Sequence, residues 1–329
     1  MGAMTTRIPV IDLAPALGGS PAQRLAVARE IDRACVEIGF FTVTGHGVPA
    51  ATIDRLRTLA HDFFARPLAE KRRAAPPSPD IPRGYIAMGG EALSYASEVE
   101  APPDLKEFYH CGRAPWPDEP YFNGPEGRRY FVPNRWPDQP AGLGEAAERY
   151  YAAMERLDRE MLRLAALALG VEEDFFEDKI DRHISAMRLN FYPEQRAAPE
   201  PDQLRAGAHT DYGLLTILNG ENVPGGLQVQ IRDGSWIDVE TVPDRFVINI
   251  GDLLMRWSND RWVSNPHRVV NPPAEIAART RRLSIAFFMH PNYDAVIECI
   301  APAGAAKYPP IGSGAYRDFK YRQTRVAAE

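Results

Sequence analysis

Cysteine is scarce: Cys35, Cys111 and Cys299 are the three in 329 residues, far apart and odd in number. That excludes a secreted disulfide framework and a CxxC metal site. It fits a reducing compartment, so a cytoplasmic location is the expectation. No apolar run approaches the roughly 18 residues that would suggest a membrane span. The start, MGAMTTRIPV, lacks a charged-then-apolar signal pattern. Its MGAM opening is set aside as a candidate cloning remnant. Positive charge is not in excess, with a net charge of -6 and a pI near 5.7. Neither nucleic acid nor a membrane is therefore an expected partner. The basic clusters EKRR and RTRR are short and read as solvated surface. No repeat of fixed period and no long low-complexity tract is present. The 30 prolines are scattered and punctuate connections such as RAPWPDEP and YPEQRAAPEPD.

What is there is an ordinary globular composition, 45% hydrophobic and 25% charged. A chain of this length buries a sizeable core without disulfide support. The first half reads mainly as helices. AQRLAVAREIDRACVEIG places Leu25, Val27, Ile31, Ala34, Cys35 and Ile38 close to a helical period. PAATIDRLRTLAHDFFA repeats the pattern with Ile53, Leu56, Leu59, Phe63 and Phe64. Between them GFFTVTGHGVP is a short β-rich run. A long helix lies within GEAAERYYAAMERLDREMLRLAALALG, and Gly170 is well placed to end it as a left-handed cap. From residue 184 the texture changes to short runs rich in β-branched and aromatic residues, such as ISAMRLNFY, LLTILN, RFVINIG and RRLSIAFFM. Many short strands separated by turn residues suggest a sandwich or barrel. The expected fold is mainly β with flanking α. A helical N-terminal region with short strands, 1–180, packs on a β core, 181–329, as one integrated domain.

Chemistry concentrates in the β-rich half. GAHTDYGLL carries His209 and Asp211 two positions apart. On a strand they project to the same face. Of seven histidines, His267 in WVSNPHRVVNP is the best further partner. Two histidines and one carboxylate make the facial set of non-haem Fe(II) oxygenases, which leaves positions open for substrate atoms and dioxygen. The same set suits a zinc ion that activates water for hydrolysis. RRLSIAFF supplies a second feature, because Arg282 and Ser284 share a strand face. The guanidinium fork suits a carboxylate. Such a pair inside a β core is costly unless an anion is present. In MRLNFYP, Arg188, Asn190 and Tyr192 alternate with Met187, Leu189 and Phe191. If the polar set points inward, it lines the same cavity.

These motifs in this order resemble the isopenicillin N synthase-like branch of Fe(II)/2-oxoglutarate-dependent oxygenases. The resemblance runs from IPVIDL at Ile8 to YPPIGSGAY at Tyr316, through GFFTVTGHGVP, NFYP, HTDYGLLTIL, GGLQVQIRDGSWIDV, FVINIGDLLMRWSNDRWVSNPHRVV and RRLSIAFF. It implies a double-stranded β-helix, a jelly-roll core with helices packed outside. It implies that His209, Asp211 and His267 bind Fe(II), and that Arg282 and Ser284 hold the distal carboxylate of 2-oxoglutarate. Tyr192 and Asn190 would add hydrogen bonds to that cosubstrate. The implied reaction consumes dioxygen and 2-oxoglutarate, releases succinate and carbon dioxide, and hydroxylates, desaturates or cyclises a small molecule. The form HTDYGLL and the tail are more similar to bacterial members, which implies a specialised metabolite. The Pro-Pro pair and the Pro-Gly turn frequent in the family are replaced here by EQRAAPEPD and VPDRF. Arg188 is expected to meet a polar or carboxylate group of the substrate. RGYIAMGGEALSY and DLKEFYHCG resemble substrate-side segments, which makes Tyr85, Phe108 and Tyr109 candidates, with Phe288 and Tyr293 beyond RxS. The expected assembly is a monomer or homodimer. Alternatives are an oxidase of the isopenicillin N synthase type that uses no 2-oxoglutarate, a zinc hydrolase, and a non-catalytic binding protein.

Overall fold

The computed structural model describes residues 7–78, 81, 83–93, 102–302 and 304–323. The MGAM opening, and Ser94 and Tyr95 at the end of RGYIAMGGEALSY, lie outside the described residues. The chain opens with β1 (Val10–Asp12), α1 (Ala14–Gly18), α2 (Pro21–Glu37), β2 (Phe40–Thr44), α3 (Ala50–Phe64) and α4 (Leu68–Arg72). Then come β3 (Gly84–Ile86), β4 (Glu107–Gly112), α5 (Pro120–Asn123), α6 (Leu143–Leu169) and α7 (Glu177–Ile180). Strands β5 (Ala186–Tyr192), β6 (Ala206–His209), β7 (Leu215–Gly220), β8 (Leu227–Gln230), β9 (Trp236–Val239) and β10 (Phe246–Ile250) follow. The chain ends through α8 (Asp252–Trp257), β11 (His267–Val269), α9 (Ala274–Ala277), β12 (Arg282–Phe288), β13 (Val296–Ile297), β14 (Ile311–Gly312) and α10 (Ser313–Gln323).

Local chemistry fixes the helical layer. Ser20 and Gln23 form a capping box at the start of α2, with Pro21 at the first helical position. Gly170 closes α6 at φ 76°, the left-handed conformation that a side chain disfavours. The inner face of α6 buries Tyr150, Met154, Leu157, Met161 and Ala165. It packs on α2 and α3, and this layer covers the outside of the larger sheet. Among the described residues no helix is long and apolar enough to cross a membrane.

The β elements form a jelly roll of two main sheets. The larger has the order β1-β2-β10-β7-β12-β5-β4-β3, and the smaller β6-β11-β8-β9. Four of the eight strands of the larger sheet, β1 to β4, come from the first half of the chain. The larger sheet therefore draws strands from both sides of residue 180.

Register decides what faces the interior. Arg282 pairs with Tyr192, Ser284 with Asn190, Ala286 with Arg188 and Phe288 with Ala186. On β4, Phe108 continues the Asn190 row and His110 the Arg188 row. On β7, Thr216 continues the Phe288 row, and Asn249 of β10 extends it. Side chains alternate along a strand, so these residues share the concave face. The intervening set, including Leu189, Met187, Ile285 and Phe287, packs under the helices.

Candidate metal centre and cosubstrate clamp

His209 and His267 face each other across the β6–β11 ladder, their rings 4.3 Å apart. Asp211 follows β6 and turns to the same point. One ligand atom from each of the three lies within 4.8 Å of the others. The rings are held by the backbone. Nδ1 of His209 bonds Gly207 O at 2.8 Å, and Nδ1 of His267 bonds Asn265 O at 3.3 Å. A carbonyl only accepts, so the proton sits on Nδ1 and the Nε2 lone pair is left for a metal. Oδ2 of Asp211 accepts from Thr216 Oγ1 at 2.6 Å and from Asn249 Nδ2 at 2.7 Å. Burial opposes ionisation of this carboxyl. The two imidazoles and these two bonds outweigh burial and lower its pKa. Burial, then His267, pushes the His209 imidazole down to about 3, so it is neutral. A neutral His209 beside an ionised Asp211 suits a divalent cation. The donor set fits a first-row metal with positions left open.

The same cavity continues to β12. Arg282 is 1% exposed, yet its Nε and Nη2 have no hydrogen-bond partner among the described residues. The Tyr192 ring lies 5.4 Å from the centre of this guanidinium. Gly220, beside Ser284 in register, keeps room for Nη2, which lies 2.8 Å from where a Cβ would stand. Ser284, Asn190 and Tyr192 line the wall with Arg282. A buried cation with free donors is unstable unless an anion completes it. The pocket fits a carboxylate.

Of the substrate-side candidates, Arg188 and Phe288 line the cavity. Phe108 lies beneath Arg188, its ring 4.6 Å from the guanidinium centre. Tyr85 and Tyr109 do not face the cavity. They pair with each other across β3 and β4, and both rings pack edge-on against Phe63 of α3. Strand alternation is the reason, since Tyr109 stands between the inward Phe108 and His110. Tyr293 also lies elsewhere, past the end of β12, stacked on Tyr121 and Tyr130. Sequence reasoning missed Glu91, Lys106, His110, His290, Arg317 and Tyr321, which all line the cavity. Parity along EFYHCG could have found His110. Nothing local marks Arg317 and Tyr321, which α10 carries in from the C-terminal end.

Fold and site together define a jelly-roll protein with a two-histidine, one-carboxylate centre and a basic clamp beside it. Comparison with known proteins gives the family. Residues 8–139 match the model of the non-haem dioxygenase in morphine synthesis N-terminal region, and residues 183–291 match that of the 2OG-Fe(II) oxygenase superfamily. The 2-oxoglutarate-Fe(II) type oxidoreductase hxnY of Emericella nidulans is 35% identical, over 98% of this chain and 92% of that protein. Homoarginine-6-hydroxylase of Oryza sativa subsp. japonica is 33% identical over 95% of this chain and 96% of that protein. A full-length Neurospora crassa protein, solved in complex with alpha-KG and thymine, superposes with a TM-score of 0.82 at 32% identity. That match covers 96% of each chain. The chain belongs to the 2OG-Fe(II) oxygenase superfamily, and is an Fe(II)/2-oxoglutarate-dependent oxygenase.

Proposed function

We propose that His209, Asp211 and His267 hold the Fe(II), that Arg282, Ser284, Asn190 and Tyr192 hold 2-oxoglutarate, and that a small molecule is oxidised in the remaining space. Bound iron, with 2-oxoglutarate and dioxygen, supplies an oxidative decarboxylation to succinate and carbon dioxide coupled to oxidation of a substrate C–H bond. The chain's own contribution is placement. Thr216 and Asn249 fix the rotamer of Asp211, and two carbonyls fix the tautomers of the histidines. Arg282 orients the cosubstrate by its far carboxylate, which leaves the opposite end free to point at the metal site. The apolar walls Leu218, Ala286 and Phe288 exclude water from that space.

The observation that carries this reading is the buried, incompletely paired Arg282 in the same cavity as the three converging ligands. Two of the proteins named above carry homoarginine or thymine in their descriptions, which agree on a small molecule and not on which. The test is calorimetry of 2-oxoglutarate with the Fe(II)-loaded protein under argon, then turnover in air. Succinate formed in step with substrate loss supports the reading. Substrate loss without succinate points to an oxidase independent of 2-oxoglutarate. Product formed under argon points to hydrolysis.

A further inference from the structure

Three ionisable groups of the cavity wall, Arg188, Glu91 and Lys106, are bound to one another and, through Lys106, to Asp104 behind them. Nη1 of Arg188 donates to both oxygens of Glu91, at 2.9 and 3.0 Å. Lys106 Nζ reaches Glu91 Oε2 at 2.8 Å and Asp104 Oδ2 at 2.9 Å. Arg188, Lys106, Glu91 and Asp104 are all buried, and each cation has a carboxylate partner. The cluster is two positive charges against two carboxyls. A carboxylate substrate finds no spare cation in it, and an ammonium finds no spare anion. Two further cations line the cavity: Arg282, assigned above to the cosubstrate, and Arg317, which leans on Asp318 at 3.6 Å and on the Tyr130 ring.

The cluster does leave donors for a ligand. Arg188 Nε donates to His110 Nδ1 at 3.1 Å. A guanidinium nitrogen is always a donor, so His110 Nδ1 accepts. The proton of the neutral ring is then on Nε2. Burial first, then Arg188 and Arg83, holds this imidazole well below its usual pKa. Its Nε2 is buried and has no partner among the described residues, although the residue lines the cavity. The bonds of Arg188 to His110 and Glu91 use Nε and Nη1, and neither uses Nη2. His290 brings a second neutral imidazole whose Nδ1 also lacks a partner among the described residues. A buried donor without an acceptor destabilises the free protein and rewards a ligand that supplies one. The whole cavity measures about 120 Å³ and includes the metal and cosubstrate residues, so what is left suits only a small substrate. Phe288, Ala286 and Leu218 give it an apolar wall.

We propose that this enzyme takes a small, uncharged substrate whose carbonyl-type oxygen accepts from His110 Nε2 and Arg188 Nη2, in preference to a carboxylate or an amine. The proposal rests on the oxygenase reading and deepens it to a substrate class. His110 is then a specificity residue, and Glu91 and Lys106 position Arg188.

The experiment loads the protein with Fe(II) and 2-oxoglutarate under argon and measures 2-oxoglutarate affinity first. Failure at that point concerns the oxygenase reading alone. Ring-sized probes of three charge classes are then titrated by calorimetry. They are thymine, valerolactam and benzamide; benzoate and orotate; benzylammonium and cyclohexylammonium. The neutral carbonyl compounds are expected to bind tightest. His110→Phe should weaken them about tenfold or more, while His110→Gln, which keeps a donor, recovers part of the loss. Unchanged 2-oxoglutarate affinity in both variants shows that the fold is intact. Tighter binding of the carboxylates or ammoniums overturns the proposal. So does the absence of any neutral binder, or equal binding by wild type and His110→Phe. If His110→Phe does not fold, the ranking of the three classes on wild type decides.

Discussion

The hydroxyl of Thr216 donates to Oδ2 of Asp211 at 2.6 Å, from a strand that carries no metal-ligand candidate itself. Asn249, next to Thr216 in the register of β7 and β10, donates to the same oxygen. The two neighbours lock one carboxylate oxygen and leave the other without either bond. Thr216→Val keeps the shape and removes one lock. Its affinity for Mn(II), used as a redox-stable probe, should fall about 10- to 100-fold, the usual cost of losing a bond to a metal ligand. Electron paramagnetic titration of free Mn(II) measures this. An unchanged affinity would remove Asp211 from the proposed ligand set or show that Asn249 suffices alone, and Asn249→Leu separates those outcomes.

Arg282 makes a prediction with two parts. Replacing it by Leu removes a buried guanidinium whose Nε and Nη2 are unpartnered. Without cosubstrate, the variant should be about as stable as wild type, because the shorter apolar side chain carries no desolvation cost and this offsets the lost packing. With cosubstrate, it should bind 2-oxoglutarate at least about 100-fold more weakly, since the far carboxylate would be buried without its partner. Thermal melts with and without 2-oxoglutarate measure both in one experiment. Wild type should gain a large shift on adding the ligand and Arg282→Leu almost none.

How much of this was legible in the sequence follows from strand parity. His209 with Asp211, Arg282 with Ser284, and Arg188 with Asn190 and Tyr192 are each two residues apart, so a shared face could be read directly. Parity alone does not say which face is the inner one. In EFYHCG every position is buried, so no polar alternation separates Tyr109 from His110. The aromatic residues looked like substrate contacts, whereas the histidine has that place. GFFTVTGHGVP reads as a short β run and holds β2, but the joining of the early strands to the core sheet was hidden for another reason. Their partners are distant in sequence, as with Phe41 beside Ile248, and no local pattern reports a pairing made across two hundred residues. Arg317 and Tyr321 reach the cavity only because α10 folds back over it, which no strand pattern encodes.

Asp158 predicts a pH dependence. It stands on α6 at 0% exposure, and neither carboxylate oxygen has a partner among the described residues. Burial, with repulsion from Glu155 second, raises its pKa well above the usual value. The folded protein therefore keeps this group protonated where the unfolded chain, with a value of about 3.9, has released the proton. The unfolded state then binds fewer protons, so this group's contribution falls as pH rises above about 4. The fall continues, by up to about 1.4 kcal/mol per pH unit, until the folded value is reached. Asp158→Asn cannot titrate. Its stability relative to wild type should therefore rise between about pH 5 and about pH 8 in urea denaturation. A constant difference across that range would mean that the carboxyl is ionised in the fold.

Asp252 ties the metal site to the C-terminal helix. Its backbone N–H donates to Asp211 O at 2.8 Å. Its Oδ2 accepts from Tyr316 at 2.9 Å and pairs with Lys320 at 3.0 Å, both on α10. The helix also carries Arg317 and Tyr321 into the cavity. Releasing it should loosen the substrate wall and leave the β12 clamp alone, because Arg282 and Ser284 lie on the sheet. The double variant Tyr316→Phe with Lys320→Ala keeps Asp252 and cuts both ties. Substrate or probe affinity should fall roughly tenfold, since misplacement of a wall residue by about an ångström is enough to cost that much. The affinity for 2-oxoglutarate should change less than about twofold, within the scatter expected for a distant site. Calorimetry of both ligands on the same preparation measures the contrast. Equal losses for the two would place α10 in support of the whole barrel, and no loss for either would show that Arg317 and Tyr321 are held by other contacts.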